Sequence, residues 1–328
     1  MSFINLILTG LKNFKDQLEN KSPLKKASFL KWSFNLDKNK FTALKSESLE
    51  YFKNQKTYPK FYFETKENLI NLALGNSYIF SSPLDLENIL DIDYNLCGNI
   101  SFEGEINFYL PKLFIKLDQN LIEIYLYFTQ KEIISIKNFL LSEISFLGRG
   151  FSDNLKLSLK IYENLELNKK EKEKFIKNVN LALGKINSLE LQKVVLSSKL
   201  YYKVDDNFDR YKFFKRASNL NKNTYHFILE RKKDDAFLGM SPETLFKIDK
   251  LTLKTEALAG TILPGKEEFL LKDSKNLYEN SLVLKDIKDK LEHFSQDISI
   301  EDVSIRRLGY VSHLVQLISV LLKKDIKI

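Results

Sequence analysis

Between residues 27 and 129 the chain repeats one pattern: a short run in which apolar and polar side chains alternate, with Asn, Asp, Gly or Pro between runs. Ala27–Leu36 (ASFLKWSFNL), Lys60–Glu64 (KFYFE), Tyr78–Ser81 (YIFS), Ile100–Phe108 (ISFEGEINF), Leu113–Leu117 (LFIKL) and Leu121–Thr129 (LIEIYLYFT) all carry it. A period of two sends successive side chains to opposite faces, so each run fits a strand with one buried face. Runs of this kind joined by turns predict a mainly antiparallel sheet.

Helical spacing flanks this sheet. The N-terminal MSFINLILTGLKNFKDQ reads as an amphipathic helix, too short and too lightly charged at its start for a signal peptide. Lys131–Phe146 has helical spacing and Gly148-Arg149-Gly150 marks a turn. Asn168–Lys185 predicts a charged helix with Asn168 as N-cap. Leu189–Val204 predicts a strand, residues near Phe208–Ser218 a helix, and Thr224–Glu230 and the stretch Phe237–Thr261 strands. Lys275–Leu291 then predicts a helix, Ile298–Ile305 a strand and Gly309–Leu322 a helix. Strands and helices in separate runs indicate an α+β fold. A β-rich part over residues 1–150 and a second part over 151–328 are expected to form one structural unit, with no repeat or low-complexity linker between them.

Composition narrows the function classes. With 44% hydrophobic and 29% charged residues, the chain can build a sizeable core and is not intrinsically disordered. The lone Cys97 excludes an internal disulfide and points to a reducing, cytoplasmic setting. No stretch has the apolar length needed to span a bilayer, so no membrane association is expected. The net charge of +8 comes from lysines interleaved with Asp and Glu, without a basic stripe. That argues against a nucleic-acid partner, and the general positive field suits a small dianion.

The stretch Phe237–Thr261 (FLGMSPETLFKIDKLTLKTEALAGT) concentrates the chemistry. Pro242 fixes its own φ and pushes Ser241 towards an extended conformation, which presents Glu243 from a turn. Gly260, between Ala259 and Thr261, lets a backbone approach a ligand closely. Phe237–Glu243 (FLGMSPE) and Thr255–Thr261 (TEALAGT) are joined in order by Lys193–Ser197 (KVVLS) upstream, and downstream by Lys275–Asn280 (KNLYEN) and by Val311-Ser312-His313-Leu314. These blocks together resemble the signature of the chorismate-utilising enzymes, most closely isochorismate synthases of the menaquinone type.

The resemblance implies stacked, mainly antiparallel sheets flanked by helices, with the site in a cleft between them. It implies a Mg²⁺-dependent isomerisation in which water adds at C2 of chorismate while the C4 hydroxyl departs. Lys193 is the candidate base, and needs burial or nearby cations to act as one at neutral pH. The apolar Val194-Val195-Leu196 are expected to desolvate it; a solvent-facing strand lysine is the ordinary alternative. Enzymes of the family that make anthranilate generally carry glutamine there. Glu243, fifty residues on, is the candidate acid and is expected in an apolar setting that keeps it protonated. Ala259 stands where aminodeoxychorismate synthases carry a lysine that forms a covalent adduct, which argues against that branch. Gly260 and Thr261 resemble residues that meet the substrate carboxylate, His313 one near the substrate ring, and Glu279 a magnesium ligand. His226 and His293 match nothing.

The sequence also departs from the family pattern. The resemblance implies a further C-terminal segment, with a substrate-gripping arginine, a Gly-Ala-Gly strand and a second set of metal carboxylates. Only KKDIKI follows Leu322, and Ser198 stands where arginine is common. The chain is therefore expected to be C-terminally truncated relative to the family. It would be completed by a separately encoded C-terminal fragment, or be an inactive remnant, or be a non-catalytic interaction protein on the same scaffold. A salicylate synthase, which uses the same first step and then eliminates pyruvate, is the nearest alternative activity.

Overall fold

The computed structural model describes residues 1–20, 28–80, 82, 94–101, 103–128, 132–148 and 160–324. Ala27, Ser81, Thr129, Lys131, Arg149 and Gly150, at the ends of expected elements, lie outside the described residues. In chain order the first half forms α1 (Phe3–Asn20), β1 (Ser28–Asn35), α2 (Phe41–Asn54), β2 (Lys60–Glu64), β3 (Ile70–Leu74) and β4 (Tyr78–Phe80). It continues with β5 (Cys97–Ile100), β6 (Ile106–Leu110), β7 (Leu113–Leu117), β8 (Leu121–Phe128) and α3 (Ile133–Gly148). The second half forms β9 (Ile161–Glu163), α4 (Leu165–Asn187), β10 (Tyr202–Val204), α5 (Arg210–Leu220), β11 (Tyr225–Lys232) and β12 (Asp235–Ser241). Then come β13 (Lys247–Asp249), β14 (Thr252–Ile262), α6 (Glu267–Leu270), α7 (Ser274–Glu292), β15 (Ser295–Ile300), β16 (Ser304–Arg307) and β17 (Ser312–Leu322).

The fold is α+β with antiparallel sheets, and the chain divides into two compact units. One comprises Met1–Asn154 with Asn223–Met240, the other Leu155–Lys222 with Ser241–Ile328.

In the first unit the alternating runs pair into a seven-stranded sheet of order β1-β8-β7-β3-β2-β11-β12, beside a three-stranded sheet β4-β6-β5. The run Ile100–Phe108 is two strands rather than one, because hydrogen bonds from Gly104 N–H to Ser101 C=O and from Ser101 N–H to Glu105 C=O close a turn between them. Helix α1 buries Phe3, Leu6, Ile7, Leu11, Phe14 and Leu18, one face at helical spacing. It approaches the sheet so closely that a Cβ on Gly10 would lie 2.7 Å from Ile124 and 3.1 Å from the Trp32 ring. Lys60 sits fully inside this unit, where a lysine needs partners. Its ammonium donates to the C=O groups of Phe52 (2.9 Å) and Gln55 (3.0 Å) at the end of α2 and lies 3.4 Å from Glu230. A cation over the open carbonyls of a helix C-terminus satisfies both.

The second unit is built on the sheet β13-β14-β17-β15, with β16 also pairing with β17. Helix α7 packs Val283, Leu284, Ile287 and Leu291 onto one face of it, against Leu253, Ala257, Ile318, Val320 and Leu322. Three expectations change here. Gly309–Leu322 is not a helix: Ser312–Leu322 is the central strand, paired along its length with β14 and flanked by β15 and β16. Ile298–Ile305 is interrupted at 301–303 and supplies two strands to the same edge of β17. Leu189–Val204 is a strand only at Tyr202–Val204, paired with β9, since the preceding residues have no sheet neighbour among those described. Helix α4 also begins earlier than expected. Its N-cap is Asn164, whose side chain accepts from Leu167 N–H, and Asn168 lies inside the first turns, exchanging hydrogen bonds with the backbone of Tyr201.

Candidate functional site

Lys193, Glu243, Ala259, Gly260, Thr261, Glu279 and His313 all lie in the second unit, and helix α7 brings several of the motif blocks together. Asp273 caps its N-terminus by accepting from Lys275 N–H. The next two turns present Asn276, Glu279 and Asn280, at spacings of three and four that share a helix face. Between them they reach two of the other blocks.

Glu279 reaches the KVVLS block. Its carboxylate lies 3.4 Å from the Lys193 ammonium and accepts a 2.7 Å hydrogen bond from Lys275. Burial alone would raise the Glu279 carboxyl, but the Lys275 hydrogen bond and the charges of Lys275 and Lys193 outweigh it and hold Glu279 below the usual carboxylate range. Lys193 is a quarter exposed. The expected apolar sheath around it is absent: Val194 is 41% and Val195 82% exposed, because the segment is not enclosed in a sheet. What meets this lysine is the Glu279 carboxylate.

Asn276 and Asn280 reach the TEALAGT block. Gly260 has φ +81°, and a Cβ there would lie 3.1 Å from the Asn276 Cβ and 3.3 Å from Leu314. It is the extra residue of a β-bulge: Ala259 pairs with Leu314 and Thr261 with His313, leaving Gly260 unpaired. The buried Asn280 amide donates towards the carbonyls of Ala257 (3.2 Å), Ala259 (3.4 Å) and Leu314 (3.5 Å), holding the strand pair where the bulge disturbs its ladder.

The bulge also decides which face carries Thr261. Ala259 and Leu314 share the face under α7. One inserted residue turns Thr261 to the opposite face, in register with His313. There Thr261 Oγ1 lies 3.0 Å from His313 Nδ1. On β16, Arg306 pairs with His313, so a row Thr261–His313–Arg306 crosses three strands.

Glu243 stands apart. It lies in residues 242–246, which have no regular structure, between β12 and β13, and its side chain is exposed rather than set among apolar groups. Among the described residues no hydrogen bond or ion pair joins it to Lys193, Glu279, Thr261 or His313. The loop itself is held. Glu256, 4% exposed, accepts from Thr244 N–H at 2.8 Å and pairs with Arg306 at 2.7 Å, and Thr255 Oγ1 donates to Leu245 C=O at 2.7 Å. Glu256 and Asn280 lie within quoted motifs but drew no separate reading, and Arg306 lies in a strand with no motif to mark it.

The described residues do not themselves fit a Mg²⁺ site. Magnesium takes oxygen ligands in octahedral array, whereas Glu279 is a single carboxylate engaged by two lysines. No group of three His, Cys, Asp or Glu side chains among the described residues could hold a metal ion. No helix among the described residues is long and apolar enough to cross a membrane.

With this geometry in view, comparison with known proteins is informative. A family model described as chorismate binding enzyme matches residues 101–328. Isochorismate synthase MenF of Pasteurella multocida is 31% identical over 285 residues, covering 84% of this chain and 65% of that protein. Isochorismate synthase MenF of Haemophilus influenzae is 30% identical over 282 residues, covering 83% and 64%. The chain thus spans about 65% of the length of these curated relatives. The solved structure of MenF, the menaquinone-specific isochorismate synthase from Escherichia coli, superposes with a TM-score of 0.75 at 23% identity, over 98% of this chain and 77% of that one. This establishes a shared fold. A matching family model across more than two thirds of its residues places this chain in the family of chorismate binding enzymes.

Proposed function

We propose that this chain is an isochorismate synthase of the menaquinone type, converting chorismate to isochorismate in the cytoplasm. The observation that carries the reading is the convergence on α7. Lys193, the Ala259–Gly260 bulge and Glu279 come from three separate sequence blocks, yet one helix face carries Glu279 and touches the other two. The likeness to isochorismate synthases over most of the chain supports the same reading.

In this reading Lys193 in its neutral form takes a proton from water as the water adds to C2, and Glu243 in its protonated form gives one to the C4 hydroxyl as it leaves as water, so the net change is an isomerisation. Neighbouring Glu279 holds Lys193 in place through their 3.4 Å ion pair. The bulge at Gly260 leaves backbone open for the ring carboxylate, with the Thr261 hydroxyl and His313 imidazole beside it. A requirement for Mg²⁺ is proposed from the family resemblance, with Glu279 offering one carboxylate. No step above is routed through the ion.

The test is incubation of the purified chain with chorismate, with and without Mg²⁺, and chromatographic separation of the products. Isochorismate formation that is lost in Lys193→Ala is the expected result. No isochorismate from a cooperatively folded chain overturns the proposal, and salicylate with pyruvate assigns the chain to the salicylate-forming reaction instead.

A further inference from the structure

We infer that Glu256 and Arg306 are positioning residues for Glu243, strapping its loop to the sheet face that carries Thr261 and His313. The inference rests on the reading of Glu243 as the acid. Glu243 makes no side-chain hydrogen bond or ion pair among the described residues, so its backbone is what holds it, and that backbone is gripped on both sides. The residue before it, Pro242, offers its C=O to Arg306 at 3.4 Å. The residue after it, Thr244, donates its N–H to Glu256 at 2.8 Å. Glu256 and Arg306 in turn hold each other at 2.7 Å, with Glu256 almost fully buried and Arg306 partly so.

The register shows why this pair reaches the right face. Glu256 pairs with Leu317 on β14–β17, and Arg306 pairs with His313 on β16–β17. Alternation along β17 puts residues 313 and 317 on one face, opposite the α7 side. The carboxylate therefore sits on the same face as the Thr261–His313 pair, and one loop carrying an unsupported acid is drawn onto it. A charge-assisted pair of this geometry, with a buried carboxylate that also accepts a backbone N–H, is stronger than a neutral contact. Thr255 Oγ1, bonded to Leu245 C=O, fixes the far end of the same loop.

The experiment compares the full chain with Glu256→Ala, Glu256→Gln and Arg306→Lys by amide exchange at Thr244, by backbone ¹⁵N order parameters at Glu243, and by chorismate turnover. In Glu256→Ala, Thr244 exchange should rise about tenfold or more and the Glu243 order parameter should fall, while exchange within α7 is unchanged. Turnover should show kcat down about 10- to 100-fold with KM within about twofold, as expected of a misplaced acid and not of lost binding. Glu256→Gln keeps an acceptor for Thr244 and should recover most of the Thr244 protection. Unchanged Thr244 exchange and Glu243 order in Glu256→Ala overturns the inference. So does a loss of protection spread through β14 and α7, which would mark Glu256 as a general stability residue. If Glu256→Ala does not fold, Arg306→Lys, which keeps the charge but not the reach to Pro242 C=O, is judged by the same two readouts. Absence of turnover by the wild-type chain defeats the proposed activity alone, since exchange and order at residues 243 and 244 still decide the positioning.

Discussion

Replacing Gly260 by alanine separates two costs that usually travel together. At φ +81° an L-residue meets its own backbone, a penalty of about 1–2 kcal/mol, offset by roughly 0.4–1 kcal/mol because alanine has less freedom to lose on folding. Gly265, at φ +84° with nothing within 4 Å of its would-be Cβ, isolates that backbone part, so Gly265→Ala should cost about 1 kcal/mol. At Gly260 the added methyl also falls 3.1 Å from Asn276 Cβ and 3.3 Å from Leu314 Cδ1, tighter than relaxed packing allows. Helix and strand must then give by a few tenths of an ångström, which adds about 1–3 kcal/mol, for a total of about 2–4 kcal/mol. Hydrogen exchange of the slowest amides in β14 and β17, measured across a denaturant series, reads the stability of the unit that holds the bulge. The two variants should differ by about 1–3 kcal/mol. Equal costs would refute the packing argument and mean that α7 is not held against the bulge as described.

Two further outcomes follow from charged groups. Removing Lys275 or Lys193 as the methionine variant should raise the Glu279 carboxyl in a carbon-13 NMR titration, and more for Lys275→Met, whose hydrogen bond is the larger lowering influence; a larger rise for Lys193→Met contradicts the geometry. In the first unit, Glu143 is buried with Thr57 Oγ1 3.5 Å from one of its oxygens, and burial pushes its carboxyl up to about 7 from 4.5. Because Glu143 binds its proton more tightly in the folded chain than in the unfolded one, its contribution to stability is greatest below about pH 4.5 and declines up to about pH 7. The loss is about 3 kcal/mol in all. The difference between Glu143→Gln and wild-type urea midpoints should grow in the variant's favour from pH 4 to 8, and a difference that does not change across this range would refute the assignment.

The antiparallel sheet was legible because its strands alternate cleanly and carry their own turns. Strand β17 was not, for a reason visible in its letters. Leu314, Leu317, Ile318, Leu321 and Leu322 fall at i, i+3, i+4, i+7 and i+8, the stripe of an amphipathic helix, while the inward set Leu314, Ile318, Val320 and Leu322 obeys a period of two. Both patterns are present, and only pairing with β14 decides between them. The segment before Tyr202 erred the other way: alternation offers a face to bury but cannot supply a neighbour, so Val195 and Leu200 remain exposed. Of the site, the motif residues were readable through their resemblance to a family. The Glu256–Arg306 strap and the carbonyl-binding role of Asn280 were not, because each depends on which strands lie side by side.

Trp32, which lies under Gly10 of α1, is the only tryptophan in the chain. Its emission therefore reports directly on the seven-stranded sheet and its covering helix. A fluorescence melt followed at Trp32 has no direct probe at the candidate site, where Gly260→Ala and Glu256→Ala act. A conservative tryptophan at Phe246, exposed within the Glu243 loop, would give that loop a signal of its own, distinguishable from the native one by quenching.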